Sequence, residues 1–151
     1  MMGLFSTLHH ICVVVADVDR AIRFYESVGI GPWHDYPPLD QYVDLQVPDS
    51  RAFMDLTYKY AEMANAQLQL VQPGAGDSPQ RRFLDEHGEG VFHLGFSVPD
   101  VNAAEKRSEL PVFMRGRRVD GSGFTYFDTS AHAGVTLEIR QNPPVGKSYE
   151  Y

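Results

Sequence analysis

The sequence predicts an α+β fold built from two tandem βαβββ units whose curved mixed sheets enclose a common cup. The first observation behind this prediction is an internal repeat: HICVVVADV, starting at His10, aligns without a gap with HLGFSVPDV, starting at His93. Later in each half, LQLVQ at 68–72 aligns with LEIRQ at 137–141. The second observation is that each half predicts a strand, a helix and then several strands. A repeated unit of this kind buries its apolar face against its copy, so residues 1–151 are treated as one domain.

The helices are predicted from their caps and from apolar residues at helical spacing. Asp17 precedes the first helix, which Gly29 ends, and Asp100 precedes the second, which Pro111 ends. These residue types cap and terminate helices because of their hydrogen bonding and backbone preferences. Segments rich in Val, Tyr, Phe and Thr are predicted strands: 8–15, 42–47, 53–60, 66–72, 112–115, 124–128 and 134–140. The resulting parts are a module at 4–73, a linker with a short helix at 74–90, a module at 91–142 and a tail at 143–151.

Charge and cysteine content narrow the class of protein. The 151 residues carry 13 Lys and Arg against 20 Asp and Glu, for a net charge of −7. A chain this acidic lacks the positive field that holds a polyanion, so nucleic acid is not expected as a partner. No apolar run approaches the roughly 20 residues that span a bilayer, so no membrane partner is expected. The single cysteine, Cys12, cannot form an internal disulfide, which fits a cytoplasmic protein.

Strand parity separates the two sides of the predicted sheet, because successive side chains of a strand point to opposite sides. One side is apolar and is predicted to form the core under the helices: Ile11, Val13, Val15, Leu68, Leu70, Leu94, Phe96, Val98, Val135, Leu137 and Ile139. The other side carries polar groups on four strands. Burial of such groups without partners costs on the order of 1–3 kcal/mol each, so this side is expected to be wet, ligand-filled or metal-bound.

Four residues of the polar side form a candidate metal site. His10 and His93 are equivalent in the repeat, and so are Gln69 and Glu138. Two imidazoles, an amide oxygen and a carboxylate suit a borderline divalent cation that keeps positions open for water or substrate. The sequence therefore predicts that the cup binds one divalent ion through His10, Gln69, His93 and Glu138.

These residues and their flanking motifs resemble the vicinal oxygen chelate superfamily, which includes glyoxalase I, extradiol dioxygenases and antibiotic-binding proteins. The similarity lies in the segment 10–17 followed by Phe24-Tyr25, in LQL at 68–70, in GVFH at 90–93 and in GVTLE at 134–138. Within the superfamily the chain is most similar to the methylmalonyl-CoA epimerases. That likeness lies in Gln69 four residues before Pro73, in DSP at 77–79, in Phe83-Leu84 and in HGEG at 87–90.

The resemblance implies both a cofactor and a reaction. In the superfamily the four matching residues bind a divalent ion, here Co²⁺, Ni²⁺, Mn²⁺ or Zn²⁺, which holds two adjacent substrate oxygens and stabilises an enolate or enediolate. Such an ion acts as a Lewis acid, and a base must still remove the α-proton. The resemblance gives that role to Glu138. It implies an isomerase or epimerase acting on a small molecule, such as an acyl-CoA or a 2-oxo or 2-hydroxy acid, and a homodimer.

The chain departs from the epimerase pattern at the second catalytic glutamate. Counted back from Gln69 without gaps, that glutamate falls on Phe53, and Asp55 is the candidate replacement because it shares the predicted strand parity of Phe53. Inversion of a stereocentre ordinarily needs a donor and an acceptor on opposite faces. Other functions therefore stay open: a glyoxalase-like lyase or other metal-dependent enzyme of the superfamily, a non-catalytic small-molecule-binding protein and, least favoured, an extradiol dioxygenase.

Overall fold

A computed structural model of the chain describes residues 3–144, and within them it contains nine strands and five α-helices. The first half contains β1 Leu8–Val14, α1 Val18–Ser27, β2 His34–Asp35, β3 Asp44–Gln46, α2 Ser50–Met54, β4 Thr57–Glu62 and β5 Gln67–Gln72. The second half contains α3 Pro79–His87, β6 Gly90–Ser97, α4 Val101–Ser108, β7 Val112–Arg117, β8 Gly123–Phe127, α5 Ser130–Ala133 and β9 Thr136–Gln141. Between residues 3 and 144, every helix is too short or too polar to cross a membrane.

The strands form a single sheet in the order β2-β4-β5-β1-β6-β9-β8-β7-β3. The two repeated strands, β1 and β6, pair antiparallel at its centre, and each pairs in parallel with the last strand of its own half. This arrangement confirms the predicted α+β fold with two related halves. The sequence assigns the edge strand β3 to the first module, at 4–73. In the structure, Asp44–Gln46 pairs instead with β7 of the second half.

The helix caps follow the sequence closely. The Asp17 carboxylate accepts a hydrogen bond from the backbone N–H of Arg20, and the Asp100 carboxylate accepts from Asn102 and Ala103. Each satisfies a backbone donor that the helix itself leaves free. The capped helices α1 and α4 pack on the convex side of the sheet, where Val15, Val18 and Leu70 are buried in one cluster and Val101, Ala104, Phe127 and Ile139 in another.

The predicted core on the convex side is wrong for the residues between the two helices. Ile11, Val13, Leu94, Phe96 and Leu137 are only half-buried. The reason is that α1 contacts β5 while α4 contacts β8 and β9, so neither of these two helices packs on the β1–β6 seam, where Phe5 contacts Phe96 edge-on. The largest core instead fills the concave side, which the sequence analysis expected to be mainly polar; it contains Cys12, Val14, Tyr42, Phe53, Leu56, Tyr58, Val71, Phe92, Met114, Phe124 and Tyr126.

The predicted strand at 53–60 is wrong over its first residues. Asp49 accepts a hydrogen bond from the backbone N–H of Ala52 and starts the short helix α2, which contains Phe53. Asp55 caps the end of this helix in a helical backbone conformation and is exposed, so the parity argument for Asp55 does not hold. The cap at Asp49 outweighs strand propensity here because Asp and Ser favour helix starts over strand interiors.

Candidate metal centre

Two of the predicted ligands, His10 and Glu138, lie in one row across the middle of the sheet, and His93 lies in the next row. His10 on β1 is paired with Gly95 on β6, and Gly95 is paired with Glu138 on β9. His93, two residues before Gly95 in the same strand, points to the same concave side. All three ligand residues are 5% exposed or less. The repeat therefore places two imidazoles and one carboxylate at the bottom of the concave side.

Gly95 is what allows these side chains to meet. A Cβ atom at position 95 would overlap the imidazole ring of His10. The ring therefore lies directly over the Gly95 backbone, in the space that any other residue would occupy, and reaches Glu138 on the far strand. Glycine inside a strand commonly marks such a close approach.

The donor atoms are as close to one another as the ligands of a metal ion. His10 Nε2 lies 2.9 Å from His93 Nε2 and 3.0 Å from Glu138 Oε1, and His93 Nε2 lies 3.9 Å from Glu138 Oε2. Among the described residues, Glu138 Oε1 has no hydrogen-bond partner despite its short distance to His10. Two ligand atoms about 2.1 Å from one ion and at right angles to each other are about 3 Å apart. The three side chains thus fit a divalent cation.

Burial keeps both imidazoles neutral. It lowers the pKa of His10 well below 6.5, with the positive charge of Arg140 acting in the same direction. Burial also lowers the pKa of His93 to about 3, against the opposing effect of Glu138. A neutral imidazole offers the lone pair that a metal requires. The pKa of Glu138 is raised above that of an ordinary glutamate by burial, while His93, Arg140 and a hydrogen bond from Tyr126 oppose the change.

Gln69, the fourth predicted ligand, lies one row away on the same concave side. It pairs with Cys12, which in turn pairs with His93. Its side chain is 1% exposed, and its Nε2 donates a hydrogen bond of 2.7 Å to Oε1 of Gln67. Gln67 is equally buried and pairs with His10. No contact of Gln69 with the three other ligands is observed, so its part in metal binding stays a prediction.

Buried polar side chains continue from Glu138 toward α3. Tyr126 lies directly opposite Glu138 on β8, and its hydroxyl opposes the rise in the pKa of Glu138 and in that of Tyr58, which lies across the concave side. Gln80 Nε2 then donates to the Tyr58 hydroxyl over 3.1 Å. Tyr58 on β4 and Tyr126 on β8 come together because the curved sheet brings these two strands face to face.

Aromatic side chains continue from the cluster, because the Tyr126 ring lies 4.8 Å from that of His93 and the Phe124 ring lies 5.2 Å from that of Tyr126. Phe53 of α2 stacks on Phe124 with ring centroids 6.0 Å apart, and Tyr42 contacts Phe124 edge-on. A cavity of about 400 Å³ lies between α3 and α5, and its lining includes Phe92 and Thr136. Phe92 precedes His93, and Thr136 pairs with it. This cavity therefore approaches the cluster from one end of the cup.

Asp55 and the arginines at 115, 117 and 118 lie outside the cluster. Asp55 is exposed, whereas the metal-type cluster of the described residues contains His10, His93 and Glu138. The arginines at 115–118 do not form an open anion site. Arg115 and Arg117 are ion-paired with Glu105, and Arg118 donates to Gln41 over 2.5 Å.

Comparison with known proteins agrees with this geometry. Residues 9–111 match the family model described as the glyoxalase/bleomycin resistance protein/dioxygenase superfamily. Mitochondrial methylmalonyl-CoA epimerase from Bos taurus is 22% identical over 140 residues, which covers 89% of this chain and 73% of the relative. An ethylmalonyl-CoA/methylmalonyl-CoA epimerase from Cereibacter sphaeroides is 24% identical over 80% of this chain and 78% of the relative.

Solved structures show the same fold. Methylmalonyl-CoA epimerase from Mycobacterium tuberculosis superimposes with a TM-score of 0.70 at 22% identity, over 95% of this chain and 93% of that one. A variant of the Streptomyces coelicolor enzyme in complex with 2-nitronate-propionyl-CoA superimposes with a TM-score of 0.64 at 23% identity, over 91% of this chain and 97% of that one. The family match covers well over half of the sequence, and on that basis the chain belongs to the glyoxalase/bleomycin resistance protein/dioxygenase superfamily.

Proposed function

We propose that this protein is a divalent-metal-dependent epimerase that moves the α-proton of an acyl-CoA thioester, with methylmalonyl-CoA as the first substrate to test. The observation that carries the proposal is the buried cluster of His10, His93 and Glu138, whose donor atoms are spaced like metal ligands. The epimerases among its relatives supply the substrate class.

The chain's own residues would hold the ion. His10, His93 and Glu138 supply three ligands and Gln69 the fourth, for Co²⁺, Ni²⁺, Mn²⁺ or Zn²⁺. A bound ion of this kind supplies Lewis acidity to a carbonyl oxygen, which makes the neighbouring C–H more acidic. The neutral imidazoles bring no competing positive charge to the site.

Glu138 is the proposed proton acceptor. Its raised pKa brings its basicity closer to the working pH than that of an exposed glutamate, which favours general base catalysis. The Tyr126 hydroxyl holds the carboxylate from the side opposite His10, because Tyr126 and Gly95 lie on the two strands that flank Glu138. The carboxylate is thereby fixed in one orientation.

Substrate is proposed to approach through the cavity between α3 and α5. The apolar side chains Phe83, Phe92 and Phe113 line it and suit an acyl chain, and Thr136 is also part of its lining. A thioester that enters here reaches His93 first, since Thr136 and His93 are paired across neighbouring strands.

The test is exchange of the α-proton of methylmalonyl-CoA with deuterium from solvent, followed by mass spectrometry. We expect exchange by the metal-loaded protein and its loss after chelation. Glu138→Gln should lower the exchange rate by ~10² to 10⁴, the usual contribution of a positioned base. Glu26→Gln, a matched change at an exposed glutamate of α1, should leave it unchanged. Full exchange by Glu138→Gln would refute the role of Glu138.

Asp55 as a second catalytic residue rests on the sequence alone and needs its own test. If Asp55 donates the proton from the opposite face, Asp55→Asn should retain exchange but stop racemisation. Unchanged rates of both would exclude Asp55 and leave inversion to another group.

A second copy of the chain is the proposed partner at the convex β1–β6 seam. Ile11 pairs with Leu94 and Val13 with Val91, and these apolar side chains are half-buried or exposed. A homodimer would cover them. Ile11→Glu should produce monomers in sedimentation velocity, whereas Val119→Glu, at an 88% exposed residue, should not.

The lone buried thiol of Cys12 supports the proposal that the protein works in a reducing compartment such as the cytoplasm.

A further inference from the structure

His9 contacts the metal ligand His10 in a way that a regular strand forbids. The Nδ1 atoms of the two rings are 2.8 Å apart, and the rings are perpendicular, with centroids separated by 5.0 Å. Neighbouring residues of a strand normally point to opposite sides of the sheet. A specific backbone feature must therefore turn the two side chains toward each other.

That feature is a β-bulge at His9. Leu8 pairs with Phe96 and His10 pairs with Gly95, so two steps along β1 match one step along β6 and His9 is the extra residue. A bulge re-aims the side chain of its extra residue, and bulges are common next to functional sites. The second half has a bulge at the equivalent place, because Cys12 pairs with His93 and Val13 with Val91, which leaves Phe92 extra. Each ligand histidine thus follows a bulged residue.

The two bulges differ in what they offer the ligand. His9 presents a ring nitrogen to Nδ1 of His10, whereas Phe92 has no polar atom to present to His93. Accordingly, His93 Nδ1 is buried without a hydrogen-bond partner among residues 3–144. Of the two ligand imidazoles, His10 is therefore the one that the neighbouring bulge orients.

We propose that His9 is a positioning residue of the metal centre, which accepts a hydrogen bond from Nδ1–H of His10 and so keeps the lone pair of His10 Nε2 directed at the cation. The shared proton resides on one of the two Nδ1 atoms. When it is on His10, Nε2 of the neutral ring carries no proton and can bind metal. When it is on His9, Nε2 of His10 carries a proton and cannot. Partners that fix the tautomer of a ligand histidine typically change metal affinity by 10- to 100-fold.

The inference rests on the proposed metal-dependent function, and its test uses Zn²⁺ alone, without substrate. Zn²⁺ affinity is measured by competition with a chromophoric chelator at pH 7.5. His9→Phe removes the acceptor and should weaken binding about 10- to 100-fold. His9→Asn retains an acceptor oxygen and should stay within about 3-fold of the wild type. His132→Phe, the same change at an exposed histidine of α5, serves as the matched control and should bind normally.

Each outcome decides a different point. Absence of Zn²⁺ binding by the wild type would refute the metal centre itself. Normal binding by His9→Phe, or equal losses in His9→Phe and His9→Asn, would overturn only the role of His9. Nitrogen-15 NMR of the Zn²⁺-loaded wild type gives a readout that does not depend on variant folding. We expect His9 Nδ1 without a proton and hydrogen-bonded to His10; a protonated His9 Nδ1 would overturn the proposal.

Discussion

Gly95→Ala should damage both stability and metal binding, although alanine usually stabilises a strand. A methyl group at this position would occupy the space of the His10 ring, and carbon contacts are comfortable only at about 3.5–4 Å, so the ring must retreat by more than about 1 Å. Overpacking of this kind typically costs 1–3 kcal/mol of unfolding free energy. Metal ligands tolerate displacements of only about 0.2 Å, so Zn²⁺ affinity should fall by at least ~100-fold.

Gly90→Ala is the matched control, because Gly90 lies on the same strand. Its Cβ would meet only Phe83, at an ordinary distance of 4.0 Å. Relative to glycine, alanine in a strand interior is favoured by roughly 0.5–1 kcal/mol, so Gly90→Ala should be neutral or stabilising. Urea unfolding and chelator competition measure the two effects. A Gly95→Ala protein as stable as the wild type, with unchanged Zn²⁺ affinity, would refute the close approach of His10 to the backbone.

Three further predictions follow from the site and the core. The His10→Ala, His93→Ala double variant should hold no stoichiometric metal by elemental analysis; retention of one ion per chain would place the metal elsewhere. Because burial lowers the pKa of both imidazoles, Zn²⁺ binding near pH 6 should release fewer protons than binding by two histidines of ordinary pKa would, and calorimetry in buffers of different ionisation enthalpy counts them; a release typical of two ordinary histidines would contradict the lowered histidine pKa values. Phe127→Ala, at a fully buried residue, should lower the free energy of unfolding by about 3–5 kcal/mol, and Phe96→Ala, at a half-buried residue of the β1–β6 seam, by roughly half of that. Equal losses of stability in urea unfolding would mean that the seam is buried.

Local signals in the sequence were sufficient for several features. The gapless match between the segments at His10 and His93 predicted two equivalent strands, and these pair at the centre of the sheet. Aspartate caps predicted the starts of α1 and α4, because capping depends on residues two or three positions away in the chain. Strand parity identified His10, His93 and Glu138 as neighbours on one side, since alternation within a strand is fixed by backbone geometry.

Other features depended on interactions between distant segments. The packing of Phe53 on Phe124 and the Tyr58–Tyr126 contact exist because the sheet curves until its two arms face each other. Parity could assign a side to each residue but could not tell which side the helices leave uncovered, and so the β1–β6 seam was wrongly predicted as core.

The sequence by itself determined which candidate ligands face the same side of the sheet, because their residue types and their repeat positions are encoded locally. Only the tertiary structure decided how the ligands meet. Gly95 allows His10 to cross toward Glu138, and the bulge at His9 turns one imidazole toward another. Both features depend on how β1 pairs with β6. This pairing determines which residue lies opposite a glycine and which residue is extra in a bulge, and the sequence of one strand alone does not specify it.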